Sequence, residues 1–154
     1  MKFLNSKQKK SIQEGLNEFY GITELNAQLI EVGKLRIRAF TGNLSREEIS
    51  QLSKITSIET IGMYLISQKD NDLRLNFDAL PLFKSQITKR ILEINKDQLA
   101  LWVRGYDLEI KCERGIVVLK FEDDLVGIGK SNTEKIFNYL PKERKIKTPL
   151  PSQP

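Results

Sequence analysis

Residues 91–105 read ILEINKDQLALWVRG. Two local patterns meet there. Ile91, Leu92, Glu93 and Ile94 form a short apolar run of strand type. Asn95 then stands where a helix needs an N-cap, and Gln98, three residues on, completes a capping box. The helix that follows carries Leu99, Leu101, Trp102 and Val103 and should stop at Arg104-Gly105, because glycine tolerates the left-handed backbone that ends a helix. Three more short strands follow, over residues 107–110, 116–121 and 125–128, with turns at Arg114-Gly115 and Glu122-Asp123-Asp124. Short strands at close spacing beside one helix predict a small barrel or sandwich.

Upstream, the pattern is mixed. Ile12, Leu16, Phe19 and Tyr20 recur at helical spacing, so residues 7–20 read as an amphipathic helix stopped by Gly21. Residues 34–40 alternate strictly and read as a half-buried strand, followed by the turn Thr41-Gly42-Asn43. Ser45 and Glu48 form a second capping box, with Leu44 and Ile49 spaced as a hydrophobic staple. That helix should bury Ile49, Leu52 and Ile55. Residues 58–67, interrupted by Gly62, and residues 72–77 read as strands joined through the polar turn Gln68-Lys69-Asp70-Asn71. Pro81 limits residues 78–90 to a short helix. The fold class expected is α+β: an N-terminal α/β domain over residues 1–90, a small mixed-β domain over 91–147, and a disordered, proline-rich tail over 148–154.

Composition narrows the chemistry. The chain has 154 residues, one cysteine and no histidine. Ser-His-Asp and Cys-His nucleophilic systems are therefore excluded, as are histidine general acids and histidine metal sites. Cys112 alone builds neither a disulfide framework nor a cysteine zinc site, and it reads as a small core residue. No run approaches eighteen apolar residues, and Met1 to Lys10 is charged too early for a signal peptide. A cytoplasmic protein with no membrane role is the expectation. Gly127-Ile128-Gly129-Lys130 lacks the spacing of a phosphate-binding loop. It reads instead as a strand whose glycines allow close approach. Glu122-Asp123-Asp124 reads as a solvated turn, and Trp102 as core. No catalytic residue, metal site or cofactor is expected.

The net charge of +5 is unevenly placed. Residues 93–124 carry five basic and eight acidic side chains. Residues 125–147 carry six basic (Lys130, Lys135, Lys142, Arg144, Lys145, Lys147) against two acidic, Glu134 and Glu143. Residues 1–10 add four lysines and no acid. Such segments are either binding patches for an anionic partner or solvated ends. In the second basic segment Ile136, Phe137 and Leu140 should anchor the chain, presenting Asn138, Tyr139, Lys142, Arg144 and Lys145 together. Lysine and arginine neutralise phosphates, a tyrosine stacks on a base, and an asparagine bonds to a base edge. Arg104 has two readings: it points from the Gly105 corner toward phosphate, or it neutralises the helix C-terminus.

Several of these stretches resemble a known family. The entry 91–98, the helix end 101–108 and the glycine strand 126–130 resemble a PUA-like RNA-binding domain. More narrowly, Gly127-Ile128-Gly129-Lys130 followed by Asn138-Tyr139-Leu140-Pro141-Lys142-Glu143-Arg144-Lys145 resembles the C-terminal RNA-binding region of Fmu/Sun-type rRNA cytosine-5 methyltransferases. Gly62-Met63-Tyr64 and Arg74-Leu75 resemble the segment that precedes the PUA domain in such enzymes and in stand-alone archaeal relatives. The pairing of an α/β N-terminal domain with a PUA domain is similar in style to the Nip7-like ribosome-biogenesis proteins. The family's Pro-Cys nucleophile motif does not occur here. The resemblance therefore implies the RNA-binding half without the catalytic half.

The expectation is a non-catalytic protein that binds structured RNA, rRNA or tRNA, during maturation or modification. Its RNA-binding residues would be Arg104, Gly105, Lys130, Asn138, Tyr139, Lys142, Arg144 and Lys145. A separate RNA-modifying enzyme or ribosome-assembly proteins would be its other partners. The alternative is a protein-interaction adaptor in a ribosome-assembly complex, its basic patch meeting an acidic protein.

Overall fold

The computed structural model describes residues 1–150. The chain divides into two compact units, one of Met1–Glu18 with Ile22–Ala79, the other of Phe19–Gly21 with Leu80 onward. The sequence pattern puts the domain boundary at residue 90; the packing divides the chain after Ala79. The tail begins in described residues, Thr148 to Leu150, while residues 151–154 lie outside them.

The first unit mixes helices with a five-stranded sheet, and every strand pair in it is antiparallel. In chain order it contains β1 (Lys2–Phe3), α1 (Ser6–Tyr20, whose last residues belong to the second unit), β2 (Gln28–Val32), β3 (Arg36–Phe40), α2 (Arg46–Ile55), β4 (Met63–Lys69) and β5 (Asp72–Leu75). The sheet follows the order β1-β2-β3-β4-β5. Helix α1 opens on a capping box that the sequence reading passed over: the Gln8 amide donates to Asn5 Oδ1 at 2.9 Å, and the Asn5 amide to Gln8 Oε1 at 3.0 Å. The hairpin between β4 and β5 turns through Asp70 and Asn71, both at positive φ (53° and 64°). That is the backbone a two-residue hairpin turn requires, and Asp and Asn tolerate it well. Gly62 does not interrupt a strand; it precedes β4 at φ 64°, where a Cβ would lie 2.3 Å from the Ala39 carbonyl oxygen.

Two expectations for α2 divide. The Ser45–Glu48 capping box is present, with the Glu48 amide donating to Ser45 Oγ at 3.2 Å and the Ser45 amide to Glu48 Oε2 at 2.7 Å. Those bonds to Ser45 hold the Glu48 carboxyl below the ordinary glutamate range. The burial reading fails beyond the first turn. Ile49 is buried, but Leu52 is 41% and Ile55 84% exposed.

The second unit holds a mixed four-stranded sheet. A single 3-10 turn (Phe77–Ala79) ends the first unit, and α3 (Leu80–Phe83) begins the second. Then follow β6 (Ile91–Glu93), α4 (Lys96–Trp102), β7 (Gly115–Phe121), β8 (Asp124–Ser131), β9 (Ile136–Asn138) and a closing 3-10 turn (Lys142–Arg144). Strand β6 pairs with β7 in parallel, so α4 serves as the crossover; β7–β8 and β8–β9 are antiparallel. Residues 107–110 are not a strand. A single bridge joins Leu108 to Ile136, so this segment seals the outer edge of β9, a strand the sequence reading missed.

The core beneath this sheet is Ile94, Trp102, Leu108, Val117, Leu119 and Ile136. Trp102 is fully buried and donates its indole N–H to the Val126 carbonyl at 2.9 Å. The β8 glycines make room for it. A Cβ on Gly127 would stand 2.6 Å from Trp102 Nε1, and one on Gly129 3.0 Å from its Cη2. The glycine strand is thus a seat for the indole. Cys112 packs at the margin of the same core.

Candidate nucleic-acid interface

The C-terminal end of α4 is closed by a Schellman arrangement. The Gly105 amide donates to the Trp102 carbonyl at 2.9 Å, and the Tyr106 amide to the Leu101 carbonyl at 3.2 Å. Gly105 sits at φ 93°, in the left-handed region, as the sequence pattern requires. Onto this corner the basic segment folds back. The Ile146 amide donates to the Val103 carbonyl at 2.8 Å. Lys145 lies directly over Gly105: a Cβ there would come within 2.7 Å of Lys145 Cδ and 3.0 Å of its Nζ. Glycine at 105 is therefore needed twice, for its dihedral and for the lysine above it.

Asn138 has a different task from the one its sequence context suggested. Its Nδ2 donates to the Trp102 carbonyl at 2.7 Å and to the Tyr106 carbonyl at 3.0 Å, and its Oδ1 accepts from the Leu140 amide at 2.9 Å. Both amide hydrogens are spent within the protein, so the side chain ties β9 to the helix corner instead of reading a base edge. Asp107 reinforces the tie, accepting from the Asn138 amide at 2.8 Å.

Arg104 takes the helix-end position. Its Nη1 donates to the Ala100 carbonyl at 2.6 Å and its Nε to the Thr148 carbonyl at 2.9 Å. A cation at carbonyls of the last helical turn is favourable in itself. Here the same side chain straps the tail to α4, so its direction is set by these bonds.

The remaining candidates separate by face. Along β8 the glycines 127 and 129 face Trp102, so Ile128 and Lys130 point to the opposite side of the sheet. Register agrees: Gly129 is opposite Asn138, and Lys130 opposite Phe137. Lys130 therefore does not share a face with Asn138. Lys135 is drawn off too, into an ion pair with Asp107 at 3.4 Å and over the Phe137 ring at 4.8 Å. Lys142 and Arg144 belong to the closing 3-10 turn and are exposed, beside Lys145; Tyr139 is half-buried just before it. Among the described residues, Lys142, Lys145 and Lys147 form no ion pair. The corner thus gathers Gly105, Lys142, Arg144 and Lys145.

Sequence reasoning missed Tyr106, an aromatic 55% exposed at the corner itself. Its signal was available: an aromatic directly after a helix-ending glycine leaves the helix face and need not enter the core. Among the described residues no group of three or more carboxylate or thiol side chains is placed to hold a metal ion. Among them, too, no helix is long and apolar enough to cross a membrane.

Residues 89–146 match the family model of the methyltransferase RsmF PUA domain. The second unit carries a PUA-like domain. The match covers the sheet β6–β9, the Gly105 corner and the basic turn. It bears out the resemblance to the Fmu/Sun C-terminal region, and it suggests RNA as a partner. It spans well under half of the chain. No curated protein matches the chain significantly.

Proposed function

We propose that this chain is a non-catalytic RNA-binding protein that docks structured RNA, of rRNA or tRNA type, on the Gly105 corner of its PUA-like domain. It would act in the cytoplasm during RNA maturation or modification, holding substrate for a separate modifying enzyme or assembly factor. One observation carries this reading. A cationic turn is latched to a helix end through Ile146 and Val103, with Lys145 laid over Gly105 and no carboxylate paired to Lys142, Lys145 or Lys147 among the described residues. Cations on a latched backbone, with no ion pair at Lys142, Lys145 or Lys147 among the described residues, suit phosphates: the turn that carries them is already ordered, and no internal ion pair at those lysines must be broken. Tyr106, exposed beside them, offers a surface for a base from a loop or an end.

The test is the salt dependence of binding to an RNA hairpin. Changing Lys142, Arg144 and Lys145 together to Ala should weaken binding and lower the salt slope by about one unit per lost phosphate contact. The three side chains are exposed or half-exposed, so folding should be untouched. A folded triple variant with unchanged affinity and slope would put the interface elsewhere. Binding to acidic polypeptide as strong as to RNA would favour a protein adaptor.

A further inference from the structure

The sheet of the second unit has β9 at one edge and β6 at the other. Beside β6 lies a small pocket lined by Arg90, Leu92, Cys112, Arg114, Ile116 and Val117, all residues of that unit. Ile116 and Val117 are buried, while Leu92 and Cys112 are half-buried, so the walls are largely apolar. Arg90 and Arg114 are exposed. Glu113 also lines the pocket, as its single carboxylate. The volume is about 160 Å3. That is well under the roughly 300–1,000 Å3 of a site that surrounds a whole small molecule. The space suits one small group with an apolar body, joined to an anion that the two arginines can reach.

The two arginines keep their charge available. Among the described residues neither forms an ion pair, with Glu113 or with any other carboxylate. Arg114 spends one of its five N–H groups, from Nη2 on the Asn132 carbonyl at 3.5 Å. The Arg90 guanidinium lies over the Phe19 ring, its Cζ 4.9 Å from the centroid. Phe19 belongs to the same unit. The backbone around Arg90 serves this placement. Arg90 stands at φ 59°, a left-handed conformation that arginine seldom takes, and its carbonyl accepts from the Val118 amide at 2.8 Å. Gly115, at φ 118°, opens β7 beneath it; a Cβ there would stand 3.1 Å from Arg90 Nη1. A guanidinium plane already seated on an aromatic ring offers a planar donor to an anion and a stacking surface to a planar group.

We infer that this pocket binds a single nucleotide unit, its base against Leu92, Cys112 and Val117 and its phosphate on Arg90 and Arg114. The apolar walls and the small volume select one base and exclude a long acyl chain. The unpaired arginines select the phosphate. Glu113, an acceptor when ionised, suits the N–H edge of a base. The unit can come from a single-stranded stretch of RNA or from a free nucleotide, since both present the same chemistry. The inference extends the RNA-binding reading above but uses none of the corner residues, so each can fail alone.

The test titrates the full labelled chain with uridine 5′-monophosphate and, separately, with a short oligouridine, at constant ionic strength. Amide shifts should saturate at residues 90–92 and 112–117. Uridine alone and inorganic phosphate alone should each bind at least about tenfold more weakly than the nucleotide, because each keeps only half of the contact. Arg90→Gln and Arg114→Gln should each weaken the nucleotide by about tenfold. Both side chains are exposed, and thermal melting verifies that the variants fold. Tighter binding of oligouridine than of the mononucleotide assigns the pocket to RNA, and the reverse assigns it to a free nucleotide. No shift at residues 90–92 and 112–117 with either probe would overturn the inference. So would inorganic phosphate binding as well as the nucleotide, or N-acetyl-leucine binding better than it, which would give the pocket to a peptide carboxyl end. If the Lys142/Arg144/Lys145 variant loses the RNA hairpin while neither probe shifts the pocket, this inference fails and the corner stands. If that variant binds the hairpin normally and the pocket residues respond to oligouridine, the corner fails and the pocket stands.

Discussion

Helices α2 and α4 open with the same chemistry and end in different surroundings. Each begins at a polar N-cap whose side chain accepts from the N3 amide while the N3 side chain accepts from the N-cap amide. Beyond that turn they part. Helix α4 drives Trp102 into a seat made by two glycines of a facing strand, whereas α2 buries Ile49 and leaves Ile55 in solvent. A capping box fixes where a helix starts, because its partners are three residues apart. What the helix buries depends on what lies across from it, which is a non-local matter.

The largest test of that contrast is truncation at the far ends of the two helices. Trp102→Ala should cost about 3–5 kcal/mol in denaturant melts, since it empties the core of the PUA-like domain and orphans the Val126 carbonyl. Ile55→Ser should change stability by less than about 0.5 kcal/mol. Equal losses would erase the distinction between the helices. A smaller effect is expected at the corner. Asn138→Ala removes three hydrogen bonds to backbone groups and should cost about 1–3 kcal/mol, and binding should weaken indirectly as the corner loosens. If the variant kept full stability, the side chain would be released for a contact with RNA.

The caps come next. Ser45→Ala and Asn95→Ala should each lose about 1 kcal/mol, similar in the two helices because the bonds are alike. A much larger loss at Asn95 would mean that α4 needs its cap for packing as well as for helix initiation. The smallest effect is electrostatic. Glu48, bonded as a carboxylate to Ser45, should titrate below the ordinary glutamate value in a carbon-detected NMR pH series. Its folded value is depressed, so its contribution is present above the unfolded value of about 4.3 and fades as pH falls through the folded one. In Ser45→Ala the titration should move only part of the way back, because the backbone amide of residue 45, the larger cause, still donates to the Glu48 carboxylate.

Much of this was legible because it is local. The caps at Ser45 and Asn95, the stop at Gly105, the turn at Asp70-Asn71 and the glycine strand at 127–129 all rest on residues a few positions apart. The motif pattern from Gly127 to Lys145 likewise pointed to the PUA-like domain. Two local signals also escaped, the Asn5–Gln8 cap of α1 and Tyr106 after Gly105; the rest required distant partners. Strand β9 is three residues long and forms only because β8 and Leu108 flank it. By sequence context Asn138 reads as a base reader; in the fold its amide is taken by the carbonyls of Trp102 and Tyr106, more than thirty residues away in sequence. Lys130 and Asn138 look like neighbours in a motif, yet strand alternation places them on opposite faces. Arg104 had two readings that sequence could not rank; the Thr148 and Ala100 carbonyls set its direction.

The central claim is that RNA meets the PUA-like domain at the corner between Gly105 and the Lys142–Arg144 turn. Amide chemical-shift mapping of the labelled full chain against an RNA hairpin tests it most directly. The account predicts the largest shifts at Gly105, Tyr106 and residues 142–146, diminishing together as salt is raised. Shifts confined to other surfaces, with the Gly105 and Lys145 amides unmoved at saturating RNA, would contradict it.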